Sequence, residues 1–185
     1  QLKFKMNNPL AYYQEHLKSY KVEAQKLYKR MTALSMFRLL AFVMTGFGVY
    51  IAFNEWQVAV LIAVVGIAVF LKLLSKHTDV KQEREFNKAL VSINEEEIKI
   101  DSGNFHDRDK GLQFQDPNHF YSLDIDLFGR GSFFQFMNRT TINEGTQKLV
   151  DALTANNIEG ITLRQEAIKE LSSKPEWRQH YSATS

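Results

Sequence analysis

LLAFVMTGFGVYIAFNEWQVAVLIAVVGIAVFL, residues 39–71, holds a single formally charged side chain, Glu55, and is bracketed by Arg38 and Lys72. As one helix rising about 1.5 Å per residue it would extend roughly 50 Å, against a bilayer hydrocarbon core of about 30 Å. One span would also hold Glu55 near the bilayer centre, at a cost of about 3 kcal/mol. Breaking the run at Asn54-Glu55-Trp56-Gln57 removes both problems. The stretch therefore predicts two apolar transmembrane helices joined by a polar turn at the far surface.

The flanking charges set the orientation. Lys18, Lys21, Lys26, Lys29, Arg30 and Arg38 precede the first apolar helix, Lys72, Lys76, Lys81 and Arg84 follow the second, and the turn has no basic residue. The positive-inside rule then puts both termini in the cytoplasm, with the anchor in the cytoplasmic (inner) membrane. Trp56 falls where an interfacial aromatic is favoured, and Arg38 and Lys72 can snorkel to headgroups. A signal peptide does not fit, because the apolar run starts late and no small-residue cleavage site follows. A buried hairpin of a soluble protein is the competing reading. Ala41, Thr45, Gly48 and Ala52 on the first helix, and Ala59, Ala63 and Gly66 on the second, recur at helical spacing and allow close backbone approach in lipid.

Outward from the apolar hairpin, Asn8-Pro9 is a helix start of the N-cap and N1-proline type. Tyr13, Leu17, Tyr20, Ala24, Leu27, Met31 and Leu34 then alternate steps of four and three, a heptad seam leading into the first apolar helix. On the return side Asp79 is read as capping a helix with Phe86, Leu90 and Ile93 on one face. A tight turn makes the two extensions emerge antiparallel, each seam burying the other. Homodimerisation through the Tyr13–Leu34 seam is the second reading.

The 185 residues carry net charge +2, with 44% hydrophobic residues and no cysteine. This excludes disulfides, thiolate nucleophiles and cysteine-bound zinc, and shows no dominant nucleic-acid surface. The chain starts at Gln1 rather than Met and is expected to be a fragment or a processed product. No GxxxxGK[ST] loop occurs. Gly129-Arg130-Gly131 lacks the third glycine of a dinucleotide fingerprint. Asp107-Arg108-Asp109-Lys110-Gly111 starts like a calcium loop, but position twelve is Asn118 instead of Glu, so it reads as a turn between two short strands. His16, His77, His106, His119 and His180 show no paired metal spacing, and His119 near Asp124 and Asp126 is the single cluster to test. Ser122 and Ser132 lack a local base or oxyanion pattern. No catalytic, cofactor or metal residue is assigned, and the chain is read as non-enzymatic.

The second informative stretch, SLDIDLFGRGSFFQFMNRTTINEG at residues 122–145, combines glycines, a Phe-Phe pair, two aspartates and Asn-Arg-Thr. Ser132 is placed to cap a short helix burying Phe133, Phe136 and Met137. Thr141-Ile142-Asn143-Glu144 has capping-box spacing for a helix burying Leu149, Val150 and Leu153. A third helix starting near Thr162 carries Ala167, Ile168 and Leu171. Arg139 and Arg164 are read as bracing helix ends and acidic neighbours.

The order Asp124-Ile125-Asp126-Leu127-Phe128-Gly129, then Gly131-Ser132-Phe133-Phe134-Gln135-Phe136-Met137-Asn138-Arg139-Thr140, followed by Gly145, Leu149, Leu153, Ile161 and Arg164-Gln165-Glu166-Ala167-Ile168, resembles the start of the core-and-lever region of the MutS mismatch-repair ATPase family. The match covers about the last third of the chain. The apolar hairpin makes the whole similar to a membrane-anchored MutS-related branch. The resemblance implies structural roles for Asp124, Asp126, Phe128, Gly129, Gly131, Ser132, Phe133, Gln135, Asn138, Arg139, Thr140, Arg164 and Gln165. Arg130 and Arg139 are the candidate DNA contacts. ATP and magnesium are implied only for a C-terminal ATPase domain that this sequence lacks, and DNA only for the full-length protein. The family's mismatch-reading Phe-x-Glu is matched by letters at Phe53-Asn54-Glu55, which falls in the predicted membrane turn.

The expected organisation is mainly α. It comprises a cytoplasmic amphipathic helix at 1–37, a transmembrane hairpin at 38–74 with its turn at 54–57, and a return helix at 75–97. A short strand-and-turn connector at 98–121 and the start of a MutS-like core at 122–185 follow. The expected function is a membrane anchor and core fragment of a MutS-related ATPase, with the bilayer and the remainder of the same protein as partners. A membrane scaffold or adaptor binding a protein partner is the alternative.

Overall fold

The apolar run breaks where its polar residues lie. In the computed structural model, which describes residues 8–155 and 157–185, helix α1 (Pro9–Ile51) ends in a single 3-10 turn, Ala52–Asn54, and α2 (Trp56–Asp101) starts one residue later. Residues 1–7 of the first expected segment lie outside the described residues. Asn8 Oδ1 accepts from the Ala11 backbone N–H at 3.3 Å with Pro9 as the first helical residue, the predicted start. Helix α2 runs uninterrupted from Trp56, so the second apolar stretch and the return helix are one element. Asp79 sits exposed inside it and caps nothing.

The chain forms two compact units. One, Lys18–Val91, consists of the facing parts of α1 and α2 with the turn between them. Its two helices are long and apolar enough to cross a membrane, and their most apolar windows bury none of their residues. Most of the residues turned inward there are small, with Val49, Ile62 and Phe70 beside them. Ala41, Thr45, Gly48, Ala52, Ala59, Ala63 and Gly66 are all less exposed than neighbours such as Phe42, Phe47, Val64 and Ile67. A Cβ at Gly66 would overlap the Thr45 side chain, and one at Gly48 would stand 3.1 Å from Ile62 Cγ2. Leu27 is buried, with Tyr20, Ala24, Met31 and Leu34 half-buried beside it in the predicted register. On α2, Val80, Asn87 and Leu90 are buried. The Arg84 guanidinium lies 5.1 Å over the Tyr28 ring.

The other unit comprises Gln1–Leu17 and Ser92–Ser185. After α2 the chain runs through turns and one 3-10 turn, Leu112–Phe114, to α3 (Phe133–Met137), α4 (Asn143–Leu153), α5 (Ile161–Ser172) and α6 (Pro175–Thr184). The strand-containing connector expected at 98–121 is corrected: among the described residues there is no strand. Local side chains take the backbone donors a ladder would need. Asp109 Oδ1 accepts from Gly111 N–H at 3.0 Å and Asp116 Oδ1 from Asn118 N–H at 2.9 Å. Gly111 has φ +64°, and a Cβ there would press on the Phe134 and Phe128 rings, so both its conformation and its lack of a side chain are used.

The core of this unit is Leu127, Phe128, Phe134 and Val150, extended by Phe114, Tyr121, Leu149 and Leu153. The burial expected for Phe133, Phe136 and Met137 is overturned. All three are more than 40% exposed, and Phe134 and Gln135 are the fully buried residues of α3. A five-residue helix has barely more than one turn, so the surroundings choose its buried face, and those place Phe114 and Phe128 against Phe134 at 5.8 and 5.4 Å between ring centroids.

Candidate functional site

The stretch 122–145 supplies most of that core. Leu127, Phe128 and Phe134 come from it, and Val150 from the helix that follows. Ser132, Gln135, Asn138 and Thr140 hold its turn. Ser132 Oγ accepts from Gln135 N–H at 3.1 Å, the predicted cap. The fully buried Gln135 side chain accepts from Gly131 N–H at 2.8 Å and donates to the carbonyls of His106 and Arg108 at 3.0 and 2.6 Å. Asn138 Oδ1 accepts from both the N–H and the hydroxyl of Thr140, at 2.9 and 2.6 Å. The capping box expected at Thr141–Glu144 does not form. Helix α4 has Ile142 at its N-cap position with no side-chain cap, and Thr141 Oγ1 pairs with Ser185 Oγ at 2.6 Å instead.

Two arginines brace this turn. Arg108 donates through Nη1 to the carbonyls of Gln135 and Phe136 and through Nη2 to that of Asn138, the free C-terminal carbonyls of α3, and its Nε meets Glu96 at 2.5 Å. Sequence reasoning placed Arg108 only in a loop. Its role depends on carbonyls 27 to 30 residues away, a separation no local pattern encodes. Arg139 pairs with Glu97 through two N–H groups at 2.5 and 3.1 Å and donates to the Phe136 carbonyl at 2.5 Å. Arg130 is exposed between Gly129 and Gly131, both at positive φ. Of the two candidate DNA contacts, Arg139 is engaged within the fold and Arg130 faces solvent. Arg164 and Gln165 lie on α5, where every residue is exposed.

Asp124 and Asp126 are exposed, and Asp126 adopts a left-handed conformation with φ 48°. Neither joins His119 in a ligand set, and among the described residues no group of three or more His, Asp or Glu is arranged to hold a metal. His119 has a different occupation. Its Nε2–H donates to the Thr154 carbonyl at 2.9 Å, while Nδ1 accepts from Ser122 N–H at 3.2 Å. Tyr121 donates its hydroxyl to the Leu153 carbonyl at 2.8 Å. Together they satisfy carbonyls left open at the end of α4.

A cavity of about 490 Å³ lies between Tyr13, Ile93, the Arg139 turn and α6, whose Trp177 and Tyr181 rings stack at 5.6 Å. Burial, reinforced by the Glu97 carboxylate, holds the Tyr13 hydroxyl above the usual phenol range, against the opposing pull of Arg178 and Arg139. Beside it α6 is fastened by a buried amide pair, Asn94 and Gln179, which exchange hydrogen bonds of 3.0 and 3.4 Å. No family model, no curated protein and no solved structure matches this chain.

Proposed function

We propose that the chain is the membrane anchor and core-entry portion of a MutS-related ATPase, non-catalytic by itself. The observation that carries the anchor is the pair of consecutive helices whose large apolar side chains face outward around a turn free of basic residues. Exposed apolar surface on this scale is unfavourable in water and neutral in lipid. Basic flanks on both sides favour cytoplasmic termini in the inner membrane. Cysteine at Gln57 is expected to react with an impermeant reagent added outside intact cells, and cysteine at Ser19 or Ser102 is not. The reverse pattern, or a monomer that stays soluble without detergent, sinks the anchor.

The relation to MutS proteins rests on residues 124–140, whose side chains supply the packed turn described above. On this reading the ATP and magnesium site belongs to a C-terminal domain, which would dimerise and drive lever motion through this core onto DNA. Calorimetry with ATP and magnesium is expected to give no saturable heat for this chain, and a phosphate loop is expected in the gene beyond Ser185. A gene that ends without one removes the ATPase reading.

One observation favours the adaptor alternative. Helix α5 is exposed along its whole length, Leu163 and Ile168 included, as expected of a helix that a further protein surface covers. In the ATPase reading that surface is the rest of the same protein.

A further inference from the structure

The cavity of about 490 Å³ beside α6 lies within the unit formed by Gln1–Leu17 and Ser92–Ser185, and its size suits a small organic molecule. The charges on its wall are paired, with one exception. Glu96 meets Arg108 and Glu97 meets Arg139, each at 2.5 Å, in the ion pairs that brace the α3 turn. Arg178 is the third arginine of the wall, and among the described residues no carboxylate pairs with it. Its guanidinium turns instead to the Tyr13 hydroxyl, a neutral acceptor. The cavity therefore keeps one uncompensated positive charge.

The groups beside that charge are donors. One bond to the Tyr13 oxygen uses one of the five N–H groups of a guanidinium, and the phenol keeps its own O–H to give. The hydroxyls of Thr140 and Thr141 are spent on Asn138, Thr146 and Ser185, and the Gln179 amide on Asn94. The apolar part of the wall is aromatic and open to solvent. Trp177 and Tyr181, one turn apart on α6, hold their rings within 14° of parallel, and each is more than half exposed. A cation is repelled here, and a neutral apolar molecule leaves Arg178 unanswered. A phosphate dianion would meet Glu96 and Glu97 as well as Arg178. A carboxylate carries the one charge required, takes two parallel N–H groups of a guanidinium, and leaves a flat body free to lie on the α6 rings.

We propose that this cavity binds a carboxylate carried on an aromatic body, supplied by a small aryl acid or by the C-terminus of a partner protein that ends in an aromatic residue. The proposal stands independently of the ATPase reading. Trp177 itself is the reporter, because the chain has two tryptophans and Trp56→Phe leaves one. Fluorescence of the Trp56→Phe full chain in detergent micelles is followed at neutral pH and matched ionic strength. The probes are phenylacetate, phenylacetamide, acetate and the peptide N-acetyl-Gly-Phe with a free C-terminal carboxylate. A saturable change with phenylacetate is expected, with phenylacetamide and acetate each binding at least about tenfold more weakly. A peptide that binds more tightly than phenylacetate identifies a protein C-terminus as the source, and one that fails to bind identifies a small acid. Arg178→Gln is expected to weaken phenylacetate binding about tenfold, and Tyr13→Phe about threefold. Arg178 is exposed and phenylalanine keeps the Tyr13 ring, so both variants should hold their melting temperatures at neutral pH. Equal binding of phenylacetamide overturns the proposal. So does a phenylacetate response that is the same in Arg178→Gln, as unsaturable partition into the micelle would give.

Discussion

The units Lys18–Val91 and Ser92–Ser185 with Gln1–Leu17 are both mainly helical but sort their side chains in opposite ways. In the first, over residues 39–71, most of the large apolar side chains point outward, while Ala41, Thr45, Gly48, Ala52, Ala59, Ala63 and Gly66 turn inward. In the second, a small aromatic core sits among hydrogen-bonded polar side chains, with Gln135, Asn94 and Ser132 nearly as buried as Phe134. The difference teaches what each unit draws its stability from. Close helix contact suits a lipid surrounding, where apolar exposure costs nothing. A unit facing water needs a closed apolar core and paired polar groups.

The largest expected effect separates the two. Phe134→Ala leaves a cavity between Phe114 and Phe128 and should cost about 3–5 kcal/mol. Hydrogen exchange should then lose protection throughout α3 and α4, while residues 39–51 keep theirs. Phe133→Ala, at a half-exposed site, is the control and should change little. Equal effects from the two rings would break the assignment of the core face.

Next comes Arg108→Ala, which strands the Gln135 carbonyl and takes one of two arginine donors from the Phe136 and Asn138 carbonyls, and should cost about 1–3 kcal/mol. Lysine at this position is not expected to rescue it, because a point charge cannot reach the carbonyls and Glu96 together. Melting curves of the alanine and lysine variants check this.

In the other unit, Gly66→Ala drives a methyl group into Thr45 and should loosen the helix pair by about 1–3 kcal/mol. Adding Thr45→Gly should restore it. Cysteine cross-linking between the two helices reads the outcome, and a single Gly66→Ala variant that cross-links normally would show that close contact is not what holds the pair.

Smaller still is Arg139→Ala, which removes a partly exposed ion pair with Glu97 and should cost about 1 kcal/mol or less. If DNA affinity falls selectively in this variant, with a shallower salt dependence, Arg139 is a phosphate contact as well as a brace.

The smallest effect is confined to alkaline pH. Tyr13 is harder to ionise in the fold than in the unfolded chain, chiefly through burial. Its contribution is therefore complete below the ordinary phenol range and is lost as pH rises through the raised value. Tyr13→Phe should flatten the alkaline limb of a stability–pH curve and leave neutral pH unchanged.

Sequence alone determined the features that depend on near neighbours. The break at residues 54–57, the inward stripe of small residues, the Tyr20–Leu34 register, the Asn8 and Ser132 caps and the burial of Val150 all follow from helical periodicity and cap chemistry within a few positions. Tertiary structure alone decided which phenylalanine of α3 is buried, that Asn87 is buried on α2 and Arg84 lies over the Tyr28 ring, that Arg108 gathers the carbonyls of Gln135, Phe136 and Asn138, and that the buried Ser122 hydroxyl is left unpaired. It also replaced the expected strands at 98–121 with turns. Each of these depends on partners dozens of residues away or on competition for the same backbone donors. Periodicity reports which faces a segment can bury, and only the rest of the fold selects the one it does bury.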